Sequence, residues 1–250
     1  MEHITSRKNP WLTALRRLNT TPAARREAGR FLCEGPKRVG ECLKWGWPVE
    51  AVVGLEDKLP AVPGGARTVA VPEDILGWLS DVEAPQGVLA VCRLPDTALP
   101  GELAPGRYLV LDGVQDPGNL GTVWRTADAF GAAGLILTGA CADPFGPKTV
   151  RATMGACFRL PVWQGERAEV RDTLSAAGVP LYATALREDT EDVRSVSLNN
   201  AAVVIGSEGK GVSDELLGLC DRTLKIPMEG RCESLNAAVA AAVVLWEMYR

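Results

Sequence analysis

Three short runs of this chain gather amide, hydroxyl, guanidinium and glycine residues at spacings that could hold a ligand. The first, DGVQDPGNLGTVWRTADAFG, carries Asn119 and Arg125; the second, GSEGKGVSDELL, carries Gly206, Glu208, Gly209 and Gly211; the third, PMEGRCESLNAAVAAAVVLWEMYR, carries Ser234 and Asn236. Asparagine and serine can orient a bound group by hydrogen bonds, and an arginine presents five N–H donors to an oxyanion. Glycines with φ > 0 let a backbone approach a ligand closely. In the first run Leu120, Val123, Ala127 and Phe130 form one apolar helical stripe and Arg125 falls off it, so its side chain is available to solvent or to a ligand. A helix-capping Asn119 with a surface arginine accounts equally well for that run on its own.

Several chemistries are excluded. The GSEGKG run departs from a Walker A loop, which would need glycine at Val204 and serine or threonine at Gly211. No G-x-G-x-x-G follows an expected strand, which argues against an ordinary dinucleotide fold. The seven cysteines contain no C-x-x-C, and the one histidine, His3, falls at the terminus, so no structural zinc site is expected.

The elements that must position these runs alternate along the chain. Expected strands in the N-terminal part cover residues 31–33, 49–53, 68–71 and 87–92, with helices starting at Pro10 and covering 23–28, 37–44 and 73–79. The stretch PDTALPGELAPG has three prolines, two glycines and no periodicity, and reads as a linker. We expect domains at residues 1–95 and 107–250, joined by 96–106. Beyond the linker, short apolar strands at 108–111, 135–137, 160–162, 181–183, 202–205 and 224–226 are separated mostly by helical segments, the pattern of an α/β domain with a parallel sheet. Ligands in such sheets collect at the carboxyl ends of the strands, where all three polar runs fall. Asn119 is expected to cap a helix ending at Gly131. Ser234 is expected to cap the last helix, with Asn236 in its first turn. That last helix is apolar nearly all round and must either enter the core or pack on another subunit.

Charge is unevenly spread. The chain has a formal net charge of −4, yet its first 50 residues carry +5 and the remaining 200 carry −9. Arg7, Lys8, Arg16, Arg17, Lys37 and Arg38 belong to a basic arm and face suited to phosphates. No signal-peptide h-region is seen at the start, and the longest apolar stretch, residues 237–246, is shorter than the ~20 residues of a spanning helix. A reduced, cytoplasmic protein with no membrane partner is expected.

Taken together and in this order, the three runs resemble the three motifs of the SpoU/TrmH family of RNA 2′-O-methyltransferases, in the SPOUT superfamily. The residues carrying the resemblance are Asn119, Gly121 and Arg125; Gly206, Glu208 and Gly211; and Ile226, Pro227, Met228, Gly230, Ser234, Leu235 and Asn236. DPFGPKTVRATMGACFRLPV, which contains Arg151, also has the look of this family. The N-terminal part is similar to its ribosomal-protein-L30e-like substrate-binding domain.

The resemblance implies a mostly parallel SPOUT-type sheet closed by a C-terminal trefoil knot, S-adenosylmethionine as methyl donor with no metal, and a homodimer through the catalytic domain. It places the donor among Thr184, Ala185, Leu186, Gly206, Ile226, Met228 and Leu235. It gives catalytic roles to Arg125, Asn119, Glu208, Ser234 and Asn236, and RNA contacts to the six basic residues above and Arg151. A guanidinium is a poor base, so Arg125 is better suited to clamp a phosphate and a developing alkoxide. Cys232, in the third run, reads as a small packing residue. Ribosomal RNA, 23S above all, is the expected substrate. Transfer RNA, or a non-catalytic role on RNA or the ribosome, is the alternative.

Overall fold

In the computed structural model, which describes residues 1–187, 190–230 and 234–250, the chain packs as two units. One comprises Met1–Pro95 with Phe145–Phe158, the other Asp96–Pro144 with Arg159–Arg250.

The first unit is a mixed five-stranded sheet in the order β1-β4-β3-β5-β2, formed by β1 (Glu2–His3), β2 (Arg30–Glu34), β3 (Val49–Gly54), β4 (Arg67–Ala70) and β5 (Val88–Arg93). Its helices are α1 (Pro10–Thr20), α2 (Pro22–Ala28), α3 (Pro36–Lys44) and α4 (Glu73–Leu79). Asn9 starts α1 by accepting from the Trp11 and Leu12 N–H groups, with Pro10 at the first helical position. Leu12, Leu15 and Leu18 then bury one stripe of α1 with Ile75, Leu76 and Leu79 of α4 over Leu32, Val53, Val69 and Leu89. Arg16 and Arg17 are left on the exposed side.

His3 does not fray. Glu2–His3 pair with β4, and Arg67 holds Glu2 through two hydrogen bonds of 2.7 and 2.8 Å. That hydrogen-bonded arginine lowers the Glu2 carboxyl below its usual range. A strand of two residues carries no periodicity, which is why the sequence did not reveal it.

The second unit is an all-parallel seven-stranded sheet in the order β10-β12-β9-β11-β6-β7-β8. It opens with β6 (Arg107–Asp112), α5 (Pro117–Ala129) and β7 (Gly134–Thr138). The next segment, with α6 (Pro147–Thr153), packs in the first unit, where Phe145 and Phe158 lie against Phe31 with ring centroids 4.9 and 6.4 Å away. Reading strand and helix alternation alone puts this segment in the second domain. Tertiary burial of two phenylalanines groups it with the first.

The chain returns as β8 (Val162–Gln164), α7 (Arg167–Ala176), β9 (Leu181–Thr184), β10 (Glu191–Asp192), β11 (Ala201–Gly206), α8 (Asp214–Leu217), β12 (Arg222–Lys225) and α9 (Ala237–Tyr249). The central strands β6 and β11 are buried almost end to end, as parallel strands covered on both faces must be. Val110, Ile136, Leu181 and Val204 meet Val170 and Leu174 of α7 and Leu216 of α8. Helices α5 and α9 pack on each other, and α9 also touches β11 and β6. Strand β8 begins two residues later than the apolar pattern suggests, because the Leu160 carbonyl accepts the buried Trp124 indole N–H at 3.0 Å. The proline-rich stretch is pinned rather than loose: Leu99 N donates to the Gln164 carbonyl and Gln164 N to the Thr97 carbonyl, along the β8 edge. Among the described residues no helix is long and apolar enough to cross a membrane.

Candidate active site

The three polar runs meet at the carboxyl ends of β6, β11 and β12. Helix α5 is capped by Asp116, whose carboxylate accepts from the Asn119 N–H at 2.8 Å, and not by Asn119 itself. Pro117 at the first helical position is the signal for this, since proline there leaves the preceding residue as the cap. The correction changes what Asn119 can do: freed from capping, its side chain projects from the first turn. Its Nδ2 donates to Glu208 Oε1, and its Oδ1 accepts from Asn236 Nδ2 at 3.2 Å.

Helix α9 starts two residues later than expected. Asn236 is its cap, with Oδ1 accepting from the Ala238 and Val239 N–H groups, so Ser234 lies ahead of the helix in the loop. One chain of side chains, Glu208–Asn119–Asn236, therefore ties the three runs together through each amide's ability to donate and accept.

The second run is a tight loop. Ser207 and Gly211 exchange backbone hydrogen bonds of 3.0 and 2.9 Å, and Gly211 takes φ +68°. Gly206 is required for another reason: a Cβ there would lie 2.0 Å from the Gly211 carbonyl carbon and 2.1 Å from Val212 N. Of Gly206, Gly209 and Gly211, all free to adopt positive φ, only Gly211 does.

Beside this loop is a cavity of about 510 Å³ lined by Thr184, Ala185, Leu186, Gly206, Glu208, Ile226, Met228, Ser234 and Leu235, among others. All seven residues assigned to the donor thus line one cavity, together with two of the five assigned to catalysis. Ile205, Leu224, Ala237 and Ala240 add aliphatic surface, and Ser207, Gly209, Gly211 and Lys225 complete the lining. Thr184 Oγ1 donates to the Val204 carbonyl at 2.8 Å and Ala185 N to the Leu224 carbonyl at 2.9 Å, which holds the β9 end of the wall in place.

Arg125 is not part of this lining. It is exposed on α5, with no ion pair among the described residues. Cys232 lies outside the described residues. Among the described residues no cluster of three or more histidine, cysteine or acidic side chains could hold a metal ion.

A buried carboxylate supports the site and escaped the sequence reading. Asp112, 3% exposed at the end of β6, accepts from Arg167 Nη2 at 2.9 Å and from Ser213 N at 2.8 Å. Arg167 also pairs with Glu215 at 2.9 Å. The first and second runs are thereby anchored to α7. Its position as the last residue of an apolar strand is the only sequence signal Asp112 offers.

The basic residues of the first unit differ in availability. Arg7 is paired with Asp74 at 3.0 Å, and Arg151, which packs in this same unit, is paired with Asp81. Arg38 donates to the Glu34 carbonyl at 2.5 Å. Arg16 stacks over the Trp78 ring at 4.7 Å, and Lys8, Arg17 and Lys37 are exposed.

With the geometry in place, comparison with known proteins is decisive for class. The model of the SpoU rRNA Methylase family matches residues 106–246, and that of the MRM3-like substrate binding domain matches residues 9–90. The chain belongs to the SpoU rRNA methylase family. It is 36% identical over 250 residues to the 23S rRNA (guanosine(2553)-2′-O)-methyltransferase RlmP of Bacillus subtilis, covering 99% of each chain. It is 35% identical to the 23S rRNA (uridine(2479)-2′-O)-methyltransferase of Streptomyces viridochromogenes, over 90% of this chain and 84% of that one. The AdoMet-bound rRNA methyltransferase of Sinorhizobium meliloti superposes with a TM-score of 0.88 at 32% identity, covering 99% of this chain and 97% of the other.

Proposed function

We propose that this protein transfers a methyl group from S-adenosylmethionine to a ribose 2′-hydroxyl of 23S ribosomal RNA. The observation that carries the reading is the Glu208–Asn119–Asn236 chain of hydrogen bonds, which ties the three motif loops together beside a cavity lined by the second and third of them and by the end of β9. The cavity suits the donor, with Gly206, Ile226, Met228, Leu235, Thr184, Ala185 and Leu186 all in its lining. When bound, the donor supplies an electrophilic methyl carbon on a sulfonium. The chain's own residues do the rest: Asn119, Asn236 and Ser234 orient the ribose, and Glu208 holds Asn119. Confining two reactants in this way can contribute roughly 7–11 kcal/mol. Arg125 stabilises the adjacent phosphate and the negative charge that develops on the ribose oxygen, an electrostatic role suited to a guanidinium.

The same reading includes a homodimer, supported by the exposed face of α9, where Val239, Trp246 and Tyr249 are half exposed and the last two close on Phe130. Phe130 is the C-cap of α5, the helix that carries Arg125. A cytoplasmic location, a linker at residues 96–106 and the family's trefoil knot belong to the reading as well.

The test is transfer of labelled methyl to unmodified 23S rRNA and to tRNA in separate reactions, followed by alkaline digestion, with Arg125→Ala alongside. Alkali-resistant label in 23S rRNA that falls ~10²-fold or more in the variant is expected. Label only in tRNA, or more than a tenth of wild-type turnover in Arg125→Ala, would overturn the substrate or the arginine's role respectively.

A further inference from the structure

Helix α3 carries an exposed face that the first unit's core does not explain. Val39 and Cys42 bury its inner side. On the outer side Lys37, Gly40 and Lys44 follow one another at i, i+3 and i+7, all exposed, and the helix ends on Trp45, which is 52% exposed. An indole left half in water forfeits burial that a tryptophan usually obtains. Lys44 Nζ lies over one face of the Trp45 ring, 5.9 Å from its centroid, which leaves the other face for a stacking partner.

Gly40 is the second, independent observation. A glycine in a helix interior is destabilising relative to alanine. Packing gives no return for that cost, because a Cβ at Gly40 would meet no atom within 4 Å and its φ is not positive. A missing side chain between two lysines, with nothing of the fold against it, leaves room for the close approach of something else.

We propose that this face of α3 is an RNA-docking surface: Trp45 stacks on an unpaired base, and Lys37 and Lys44 contact phosphates of a strand that passes close over Gly40. Charge favours this occupant, since the first 50 residues carry +5 while the remainder carries −9. Glu41 lies on the same turn, between the lysines, and tempers the patch without reversing its sign. Several basic residues elsewhere in this unit are already matched to carboxylates: Arg7 to Asp74, Arg67 to Glu2, Arg151 to Asp81, and Arg30 and Arg93 to Glu50. Aromatic stacking with flanking cations is the common way proteins hold splayed-out bases. The proposal rests on RNA being the substrate.

The test measures binding of the full-length protein to unmodified 23S rRNA and to a short single-stranded oligoadenylate, without methyl donor, for wild type, Trp45→Ala, Trp45→Phe and Gly40→Ala. Trp45→Ala should weaken binding about 5- to 150-fold, the usual effect of losing one base–aromatic stack, and Trp45→Phe should restore most of it. Gly40→Ala should move two readouts in opposite directions, raising the melting temperature by about 1–4 °C while weakening RNA binding. A purely structural role would move both together. Wild-type affinity in both Trp45→Ala and Gly40→Ala would overturn the proposal. Methyl transfer by the wild type is scored separately, so failure of the docking surface is distinguishable from failure of the proposed activity.

Discussion

Gly206→Ala is the sharpest probe of the cavity. The added methyl would sit 2.0 Å from the Gly211 carbonyl carbon, 2.1 Å from Val212 N and 2.3 Å from the Gly211 oxygen, all main-chain atoms. Ordinary contact begins near 3.4 Å, so residues 207–211 would have to move by about 1.4 Å. Overpacking of this kind costs about 1–3 kcal/mol, and opening the loop also gives up the two Ser207–Gly211 hydrogen bonds, each worth about 0.5–1.5 kcal/mol. Gly206, Ser207, Glu208, Gly209 and Gly211 all line the cavity, so displacing them should weaken donor binding by about 10- to 100-fold. Gly209→Ala is the matched control: a methyl added there would meet no atom within 4 Å and its φ is not positive, so donor affinity should stay within about twofold. Calorimetric titration of S-adenosylmethionine into each variant, with melting curves to confirm folding, decides the matter. Wild-type affinity in Gly206→Ala, or an equal loss in Gly209→Ala, would refute the claim that close backbone approach at Gly206 shapes the cavity.

Other changes separate binding from catalysis and from folding. Asn119→Ala cuts the tie between Glu208 and Asn236 and should lower kcat by ~10- to 100-fold, with donor Kd within about threefold; single-turnover kinetics and titration measure the two. Arg167→Ala leaves Asp112 buried without its guanidinium and should destabilise the second unit by about 3–5 kcal/mol, read by urea denaturation. Replacing Trp246 and Tyr249 by glutamate should convert a dimer to a monomer by light scattering, and an unchanged mass would place the subunit contact elsewhere. The side-chain hydrogen bond from Arg194 holds the half-buried Asp192 carboxyl down to about 2. A depressed folded-state pKa stabilises above the unfolded value, so this contribution should be complete above about pH 4 and be lost as pH falls towards 2. NMR titration of the Asp192 carboxyl checks the midpoint.

Much of the site was legible because its residues sit in runs whose spacing is itself the signal. Glycines at 206, 209 and 211, the polar pairs Asn119/Arg125 and Ser234/Asn236, and apolar strands just before each run all pointed to one sheet edge. Cap assignments were less legible. Asp116 and Asn119 are both able to cap α5, as Ser234 and Asn236 are for α9, and local propensity does not separate them. The outcome depends on where the main chain turns into the helix, and it reassigns Asn119 from holding its own backbone to bonding across loops.

The amino-acid sequence by itself determined the α/β alternation, the parallel sheet, the basic first part and the identity of the polar runs, because each follows from periodicity, composition or short-range spacing. Only the tertiary structure decided that Glu2–His3 close a sheet edge, that Phe145–Phe158 pack with the first unit, that Asp112 is buried against Arg167, and that Asn119 links Glu208 to Asn236. The shortest of these spans, Asp112 to Arg167, is 55 positions, and a contact of that length leaves no mark on the residues near it in the chain.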